Sequence, residues 1–434
     1  MSSTGDGADA IEAATMRRVA RRVVPFLMLC YFVSFVDRVN AGFGALEMNH
    51  DLHLSPAMFG FGGGLFFVSY FIFEVPSNLA LERVGARRWI ARIMISWGIV
   101  AAAMALIEGP RSYYLVRLLL GAAEAGFFPG VMLYITYWFP AAYRARIIGW
   151  FMVAVPISSF LGSPLSAALL GADGWLGLRG WQWMFIIEGA PAVLLGVFCL
   201  FYLDDRPASA RWLAPAQRDW LLTRLAAENA RARPMAHQSL WRVLTNRRVL
   251  ALAVVLAGTT ANSSGLQIWT PQIIKSFGLS NLQTGLVNAI PFAIAAIAMI
   301  WWGRRSDRLH ERVWHTVLPL ALIAVSLAAF LLFHSLVATV VIFCLAVVGI
   351  YACKGPVWAV STEWLAAGVA AAGLAQINAI SNLAGFGTIY LVGVIKGATG
   401  GYTLAMLPLV TLAALSAVTM FLVGRADQKS LTRS

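Results

Sequence analysis

The sequence predicts an all-α membrane protein with twelve transmembrane helices arranged in two pseudo-symmetric six-helix bundles. Three observations lead to this fold class. Of the 434 residues, 59% are hydrophobic and 12% are charged, and the mean hydropathy is +0.73, values that are typical of integral membrane proteins. Apolar runs long enough to cross a bilayer recur along the whole chain. One long polar stretch separates six of these runs from the other six.

The predicted spans have the length that a bilayer requires, because a hydrocarbon core of about 30 Å is crossed by roughly 20 helical residues. The polar stretch 204–248 is rich in arginine and contains several prolines, so we interpret it as a cytoplasmic central loop. It would join an N-terminal bundle (1–203) to a C-terminal bundle (249–434). The spans are predicted near residues 23–46, 58–81, 89–107, 112–138, 146–170, 182–203, 249–274, 283–303, 314–333, 336–360, 369–395 and 402–424.

The net charge of +13 follows the membrane topology and not a nucleic-acid-binding surface. An arginine cluster at 17–22 precedes the first span, the loop 47–57 carries two acids and no Lys or Arg, and the loop 82–88 is basic again. Basic residues concentrated in alternate loops obey the positive-inside rule. We therefore expect a multi-pass protein of the plasma (bacterial inner) membrane with both termini in the cytoplasm. We expect no nucleic-acid partner.

The sequence lacks the residue constellations that are typical of an enzyme or a metal site. No serine-nucleophile, zinc-ligand or phosphate-loop motif is present, and the four cysteines have no CxxC spacing. We therefore expect free cysteines, no metal, no cofactor and no enzymatic activity. The six histidines fall in predicted loops or at span ends. Carboxylates are consequently the side chains left to carry protons across the membrane.

The loops after the second and eighth predicted spans carry one repeated motif, at 78–88 and 303–312. In each copy an acidic residue is followed by arginines at the cytoplasmic end of a helix, an arrangement that suits a charge-based gate. Ordinary positive-inside flanking explains either copy alone, but two copies at corresponding places favour an internal repeat of six spans. The expected gating residues are Glu82, Arg83, Gly85, Arg87, Asp307 and Arg308.

These loops resemble the G-x-L-a-D-r-x-G-r-r signature of the major facilitator superfamily. The first copy departs from it at Asn78, Ala80 and Glu82, and the second has His310 where Gly is usual. The resemblance implies the major facilitator fold, with spans one, four, seven and ten around a central cavity. A narrower resemblance, to the anion:cation symporter family and its tartrate, phthalate and hydroxyphenylacetate permeases, lies in FVDRVN (35–40), EVPSNLALERVGARRW (74–89), RLLLGAAEAGFFPG (117–130), WQWMFIIEGAPAVLLG (181–196) and WTPQIIK (269–275).

Four charged residues in the first and fourth predicted spans mark the candidate site. Arg117 and Glu124 are seven residues apart. On a helix this spacing places them on one face, roughly 10 Å apart. Gly121 lies between them on that face and is expected to leave room beside both charges. Asp37 and Arg38 lie at a comparable depth in the first span. An ionised group near the bilayer centre costs about 2.5–3.5 kcal/mol on insertion scales, so charges gathered on one face indicate a water-filled cavity.

These four residues, called the quartet below, have two possible roles. As a structural cluster, Asp37 and Arg38 would pair with Glu124 and Arg117, although buried ion pairs contribute little to stability. As a functional site, Arg38 and Arg117 would bind a substrate carboxylate, whose geometry their forked donors match. Asp37 and Glu124 would bind and release protons, because burial and a neighbouring arginine act on a carboxyl in opposite directions. The family resemblance implies the same assignment, which we favour.

Further polar side chains complete the predicted substrate site. Lys354 either extends out of the membrane along its aliphatic stem or supplies a second cation for a dianionic substrate. Two more acids within or near spans, Glu74 and Glu188, are expected to have structural roles. The remaining predicted substrate-binding residues are Tyr70, Gln267, Lys354, Trp358, Asn378 and Asn382.

The predicted function is proton-coupled symport of a small organic carboxylate into the cell by alternating access. A tartrate-like dicarboxylate, a sugar acid and an aromatic acid all fit a site with two arginines. The alternative is an organic-anion facilitator or antiporter of the same fold. The expected partners are the small organic anion, protons and the lipid bilayer, and we expect the protein to work as a monomer.

Overall fold

The computed structural model describes residues 3–231, 245–365 and 370–431, and in these ranges the chain is helical, without a β-strand. Eleven of its helical stretches are long and apolar enough to cross a membrane, and the shorter apolar helix Val313–Ala329 matches the remaining predicted span. The predicted fold class is confirmed. The helices are α1 (Ser3–Asp51), α2 (Pro56–Val84), α3 (Ala86–Ala103), α4 (Pro110–Glu124), α5 (Phe127–Trp138), α6 (Ala141–Leu169), α7 (Gly180–Tyr202), α8 (Pro215–Arg231), α9 (Arg247–Lys275), α10 (Asn281–Leu309), α11 (Val313–Ala329), α12 (Leu336–Trp364), α13 (Ala370–Thr399) and α14 (Leu407–Leu431).

The first helix is much longer than one bilayer crossing. α1 contains 49 residues, which is roughly 74 Å at 1.5 Å per residue, against about 30 Å of hydrocarbon. It packs against α8. Arg18 donates a hydrogen bond to Gln217 of α8 at 3.5 Å, and Arg22 donates to the Tyr202 carbonyl oxygen at 3.1 Å. The stretch 204–248, expected to be a loop, therefore contains a helix that is docked on the N-terminal part of α1.

The fourth predicted span is divided into two helices. α4 ends at Glu124 and α5 begins at Phe127. Gly126 between them has φ +86°, a left-handed conformation that glycine adopts without a steric penalty. A Cβ atom at Gly126 would also collide with the Ser77 hydroxyl. The predicted span 112–138 matches the single apolar stretch Pro110–Trp138, which is broken near Gly126. Arg117 and Glu124 both lie within α4, and the break places Glu124 at its end.

The two halves of the chain meet closely at the end of the molecule that carries the turn between α1 and α2, called the α1–α2 end below. Among the described residues, the main helix pairs between the halves are α1 with α9, α2 with α13 and α6 with α10. Glycines permit the approach, since a Cβ atom at Gly42 would lie only 2.6 Å from the Gln267 carbonyl oxygen. Asn281, at the start of α10, donates a hydrogen bond to Glu47 of α1 at 2.7 Å. The α1–α2 end is therefore closed.

Candidate functional site

A cavity between the two halves brings all four members of the quartet together. The α1 and α4 helices contribute the charged side chains, and α9 contributes an uncharged wall on the opposite side. The functional roles of the quartet stay predictions. The lining residues are Asp37, Arg38, Phe66, Phe67, Arg117, Leu120, Glu124, Ser264, Gln267 and Ile268.

Arg38 and Glu124 form the one ion pair within the quartet. The distance between Arg38 Nη2 and Glu124 Oε1 is 2.5 Å, and Arg38 Nε donates to the same oxygen at 3.0 Å. The Ser34 hydroxyl, one turn before Arg38, donates to that oxygen as well, at 3.0 Å. The side chain of Glu124 is 3% exposed and that of Arg38 is 25% exposed. The pair therefore has one partner sealed in protein and one partner that reaches the cavity.

Asp37 is held by uncharged donors only. Its Oδ2 accepts a hydrogen bond from the Trp97 indole at 2.7 Å, and its Oδ1 accepts one from the Asn40 amide at 3.2 Å. Asp37 is 4% exposed, and no cation lies within ion-pair distance of it among the described residues. The structural-cluster hypothesis required a second ion pair, between Asp37 and Arg117, and that pair is absent from this part of the chain.

Arg117 is a buried cation with unused hydrogen-bonding capacity. It is 5% exposed, its Nη2 donates to the Gly63 carbonyl oxygen at 3.2 Å, and its Nε has no hydrogen-bond partner. The guanidinium also lies 5.2 Å from the centroid of the Phe66 ring. No carboxylate of the described residues forms an ion pair with it. A buried charge without a counter-charge is unfavourable, so this arginine is poised to accept an anion from the cavity that it lines.

The small residue between the two α4 charges has a different effect from the one expected. Gly121 was predicted to leave room beside Arg117 and Glu124. A Cβ atom there would instead collide with the Phe66 carbonyl oxygen and the Ser69 hydroxyl of α2. Gly121 therefore allows the α2 backbone to approach α4, and this approach helps to bring the Gly63 carbonyl within reach of Arg117.

Two other predicted residues lie beside the quartet. Tyr70 is buried, and the centroid of its ring is 5.8 Å from the Arg38 guanidinium carbon. Gln267 lines the cavity from α9 and donates a long hydrogen bond, 3.5 Å, to the Tyr351 hydroxyl. Lys354 Nζ lies 4.4 Å from the centroid of that Tyr351 ring. A chain of contacts therefore leads from Gln267 in the cavity wall through Tyr351 to the half-buried Lys354.

The remaining predicted substrate ligands lie outside the described lining of this cavity. Asn378 donates a hydrogen bond to Glu74 of α2 at 2.9 Å, so this pair joins α13 to α2. The expected structural role of Glu74 is consistent with this contact. Asn382, one turn further along α13, is buried, and Trp358 packs against the hydrophobic core.

Sequence reasoning missed Ser34, Asn40 and Trp97, the neutral partners of the two acids. Ser34 and Asn40 stand three residues before and after Asp37, on the same side of α1, so the helical repeat could have found them. Trp97 comes from α3, about 60 residues away, and nothing local in the sequence connects it to Asp37.

The two predicted gating loops make different contacts. In the first loop, the backbone N–H of Arg87 donates to Asp205 Oδ1 at 2.9 Å. Gly85 has φ +96°, which requires glycine between α2 and α3. In the second loop, Asp307 pairs with Arg312 at 2.6 Å. The remaining members, Glu82, Arg83 and Arg308, are exposed.

Comparison with known proteins gives this geometry a family context. The model of the Major Facilitator Superfamily matches residues 27–389. A protein of Agrobacterium vitis named "Putative tartrate transporter" is 50% identical over 415 residues, which cover 96% of this chain and 96% of its own. A quinolone resistance transporter of Acinetobacter baumannii is 39% identical over 395 residues, 90% of each chain.

A solved structure supports the fold independently of close sequence similarity. The inward-facing, unoccupied structure of a bacterial homologue of the human lysosomal transporter Spinster superposes with a TM-score of 0.75 at 19% identity, covering 95% of this chain and 98% of the other. At that identity the likeness shows the fold alone. Taken with the family match and the close relatives, the chain is a membrane transporter that belongs to the major facilitator superfamily and, within it, to the anion:cation symporter family whose motifs it carries.

Proposed function

We propose that this transporter carries a small organic carboxylate into the cell together with protons, by alternating access and as a monomer of the bacterial inner membrane. The observation that carries the proposal is Arg117, a buried cation that lines the cavity without a carboxylate partner among the described residues. A substrate carboxylate would supply the missing counter-charge. The tartrate named for the Agrobacterium vitis relative is a compound of this class.

The ion pair between Arg38 and Glu124 supports coupling to protons. Glu124 now occupies the guanidinium that a substrate carboxylate would also need. A proton on Glu124 would remove its negative charge and release Arg38, so that Arg38 and Arg117 could hold the carboxylate together. In this scheme a proton and an anion favour each other's binding. The proton on Glu124 frees Arg38 for the anion, and the anion replaces Glu124 as the partner of Arg38.

Charge balance also explains why a carrier loaded with only protons or only the anion would not close. Moving uncompensated charges into a dry, closed site is costly. The empty quartet has two negative and two positive charges, and with protons on Asp37 and Glu124 and a dicarboxylate on the two arginines it would again have no net charge. Protons alone or the anion alone would leave it with an excess charge. The α1–α2 end, which faces outward under the positive-inside rule, is closed in the structure, so the described conformation would be the one that releases substrate inward. The gating loops around Glu82 and Asp307 would close the opposite face.

A facilitator or antiporter of the same fold is the second candidate. The quinolone resistance transporter of Acinetobacter baumannii favours it, because the name of that relative refers to drug resistance. Such a protein would use the same cavity without moving protons and anion in the same direction.

Simultaneous measurement of anion and proton flux separates these candidates. Purified protein would be reconstituted into vesicles that contain a pH-sensitive dye, and radiolabelled L-tartrate would be added outside with an inward proton gradient. Symport predicts accumulation of label above equilibrium together with acidification of the lumen. A facilitator would equilibrate the label without acidification, and an antiporter would move protons outward. A prior thermal-shift screen of carboxylates supplies an alternative substrate if tartrate does not bind.

A further inference from the structure

Glu188 is a buried carboxyl that the proposed transport cycle does not use. It lies in α7, is 3% exposed and is absent from the lining of the central cavity. Its Oε1 accepts a hydrogen bond from the Ser166 hydroxyl of α6 at 2.7 Å, and its Oε2 has no hydrogen-bond partner. No Arg, Lys or His of the described chain forms an ion pair with it.

A carboxyl in this position is far more stable neutral than charged. A buried carboxylate needs a cation or several donors to replace its lost hydration. Glu188 has one hydroxyl donor and an idle oxygen. The structural role expected for Glu188 does not explain its chemistry, because a hydrogen bond to Ser166 does not require an ionisable group and a glutamine would accept the same bond.

The neighbours of Glu188 connect it to the proton site. Asn40 of α1, whose amide donates to Asp37, also lies beside the Glu188 carboxyl. Among the elements packed on α7, α1 contributes the ionisable Asp37, α3 contributes the neutral Trp97 that holds Asp37, and α6 contributes the neutral Ser166. Two carboxyls therefore share one pocket of uncharged donors where α1, α3, α6 and α7 meet. Both cannot readily be ionised at once.

We propose that Glu188 is a third proton-binding group of the transporter and that it shares a single proton with Asp37 across Asn40 before the substrate proton arrives. Glu188 holds this proton on its free Oε2, and Asp37 is the carboxylate that faces the cavity. A proton that enters from the cavity binds Asp37, so the pair then holds two protons and no charge. Glu188 acts through Asp37 and is a positioning residue. This role rests on the proposed proton symport.

The charge state of Glu188 would thus set how readily Asp37 takes a proton. An ionised Glu188 would make protonation of Asp37 easier, and a neutral Glu188 would make it harder, because like charges repel. Glu188 would therefore set the pH range over which Asp37 binds its proton, without touching the substrate.

Infrared difference spectroscopy tests the proposal on the purified full-length protein without any substrate. Spectra taken across a pH titration would contain a C=O stretching band from a protonated carboxyl, and Glu188→Gln should remove it. The isosteric glutamine keeps the bond from Ser166, and a thermal melt checks that the variant folds. In Asp37→Asn the Glu188 band should disappear at a pH lower by at least about one unit, the coupling at which two acids titrate as a pair.

A matched control is Glu74→Gln, since Glu74 lies in α2 and bonds to Asn378 away from this pocket. It should leave the Glu188 band and its titration unchanged. A Glu188 band that persists unchanged at every pH, or one whose titration ignores Asp37→Asn, would overturn the shared proton. A different result would be that the vesicle assay shows no symport while the Glu188 band still shifts in Asp37→Asn. That result would contradict the proposed function but not the coupling between Glu188 and Asp37.

Discussion

The two halves of this transporter differ in what they bury. The first half places four charged side chains in one cavity, whereas the second half lines the same cavity with Ser264, Gln267 and Ile268, all uncharged. A half that contains both acids and arginines can bind a proton and an anion. A neutral half can close over them without burying a further charge, so the chemistry is concentrated on one side and the other side acts mainly as a wall.

The largest effect should come from Arg117, the unpaired charge of the first half. Arg117→Ala removes the cation that the cavity offers to an anion, and truncating a partner of a buried charged contact costs about 2–5 kcal/mol, which corresponds to a loss of affinity of at least about 30-fold. Ligand-induced thermal shifts measure this loss. Arg92→Ala, which alters a half-buried α3 arginine stacked on Trp89, is the control and should keep the affinity. A ligand that stabilises both variants equally binds elsewhere.

Glu124→Gln should separate transport from coupling. The substitution keeps the size of the side chain but removes the charge that holds Arg38, so substrate exchange across the membrane should continue while accumulation driven by a proton gradient falls to background. Counterflow and gradient-driven uptake are measured in the same vesicles. Glu74→Gln should leave both intact, and wild-type accumulation by Glu124→Gln would show that coupling lies elsewhere.

Lys354 is a charged residue in the middle of α12, so it tests the contrast between a charged first half and an uncharged second half. If it assists a second carboxylate through the wall formed by Tyr351 and Gln267, Lys354→Ala should weaken binding of a dicarboxylate about tenfold and leave a monocarboxylate nearly unchanged. Paired thermal-shift titrations with succinate-like and acetate-like ligands measure the difference. Equal affinities in wild type and variant would restrict the charged contacts to the first half.

A neutral wall should contribute less than a charged one. Gln267→Ala deletes an uncharged amide, and a typical neutral hydrogen bond contributes about 0.5–1.5 kcal/mol, so affinity should fall about two- to tenfold. The same titration used for Arg117→Ala gives the comparison directly. A loss as large as that of the arginine variant would show that the second half carries specific recognition.

The smallest effect concerns an acid at the surface of the second half. Burial raises the pKa of Glu311, but hydrogen bonds from the Trp314 and His315 N–H groups and from the His315 ring outweigh it and leave the pKa below 4.5. A carboxyl with a lowered pKa stabilises the fold above 4.5, its ordinary value, and loses this contribution as the pH falls through the lower folded value. Glu311→Gln should cost about 0.5–1 kcal/mol at neutral pH, after allowance for solvent screening.

Thermal melts in detergent across a range of pH measure this contribution of Glu311 to stability. The melting temperatures of the wild-type protein and the glutamine variant should differ at neutral pH. They should converge in acid, where the wild-type carboxyl is protonated and therefore uncharged like the glutamine. A constant difference at every pH would show that the charge of Glu311 is irrelevant to helix α11.

The parts of the fold that follow from local periodicity could be predicted. The spans follow from apolar length, and the shared face of Arg117 and Glu124 follows from the helical repeat, because both need only residues near in sequence. The interruption at Gly126 was missed because a glycine in a membrane helix more often permits close packing, and only the neighbouring α2 shows why the helix stops there. Helix α8 was missed because its stretch was judged by polarity, although Trp220 and Leu221 break the polar pattern.

The partners of the quartet depended on tertiary structure. The sequence indicated that acids and arginines would gather, but two pairings were open. In the structure Arg38 pairs with Glu124, and Asp37 accepts a hydrogen bond from Trp97 of another helix. Opposite charges alone do not select between these arrangements, since the choice depends on which neutral donors the surrounding helices bring near.

The seal at the α1–α2 end combines close backbone approaches with aromatic contacts, and the salt bridges of the described residues do not join the two halves there. A Cβ atom at Gly60 would lie 2.8 Å from the Ile389 carbonyl oxygen, and Asn281 separates Glu47 from Lys275 by donating to one and accepting from the other. Dissolved ions screen charges but do not weaken van der Waals contact. Separation of these helices is therefore largely independent of ionic strength, and the barrier stays equally tight in dilute and in concentrated salt.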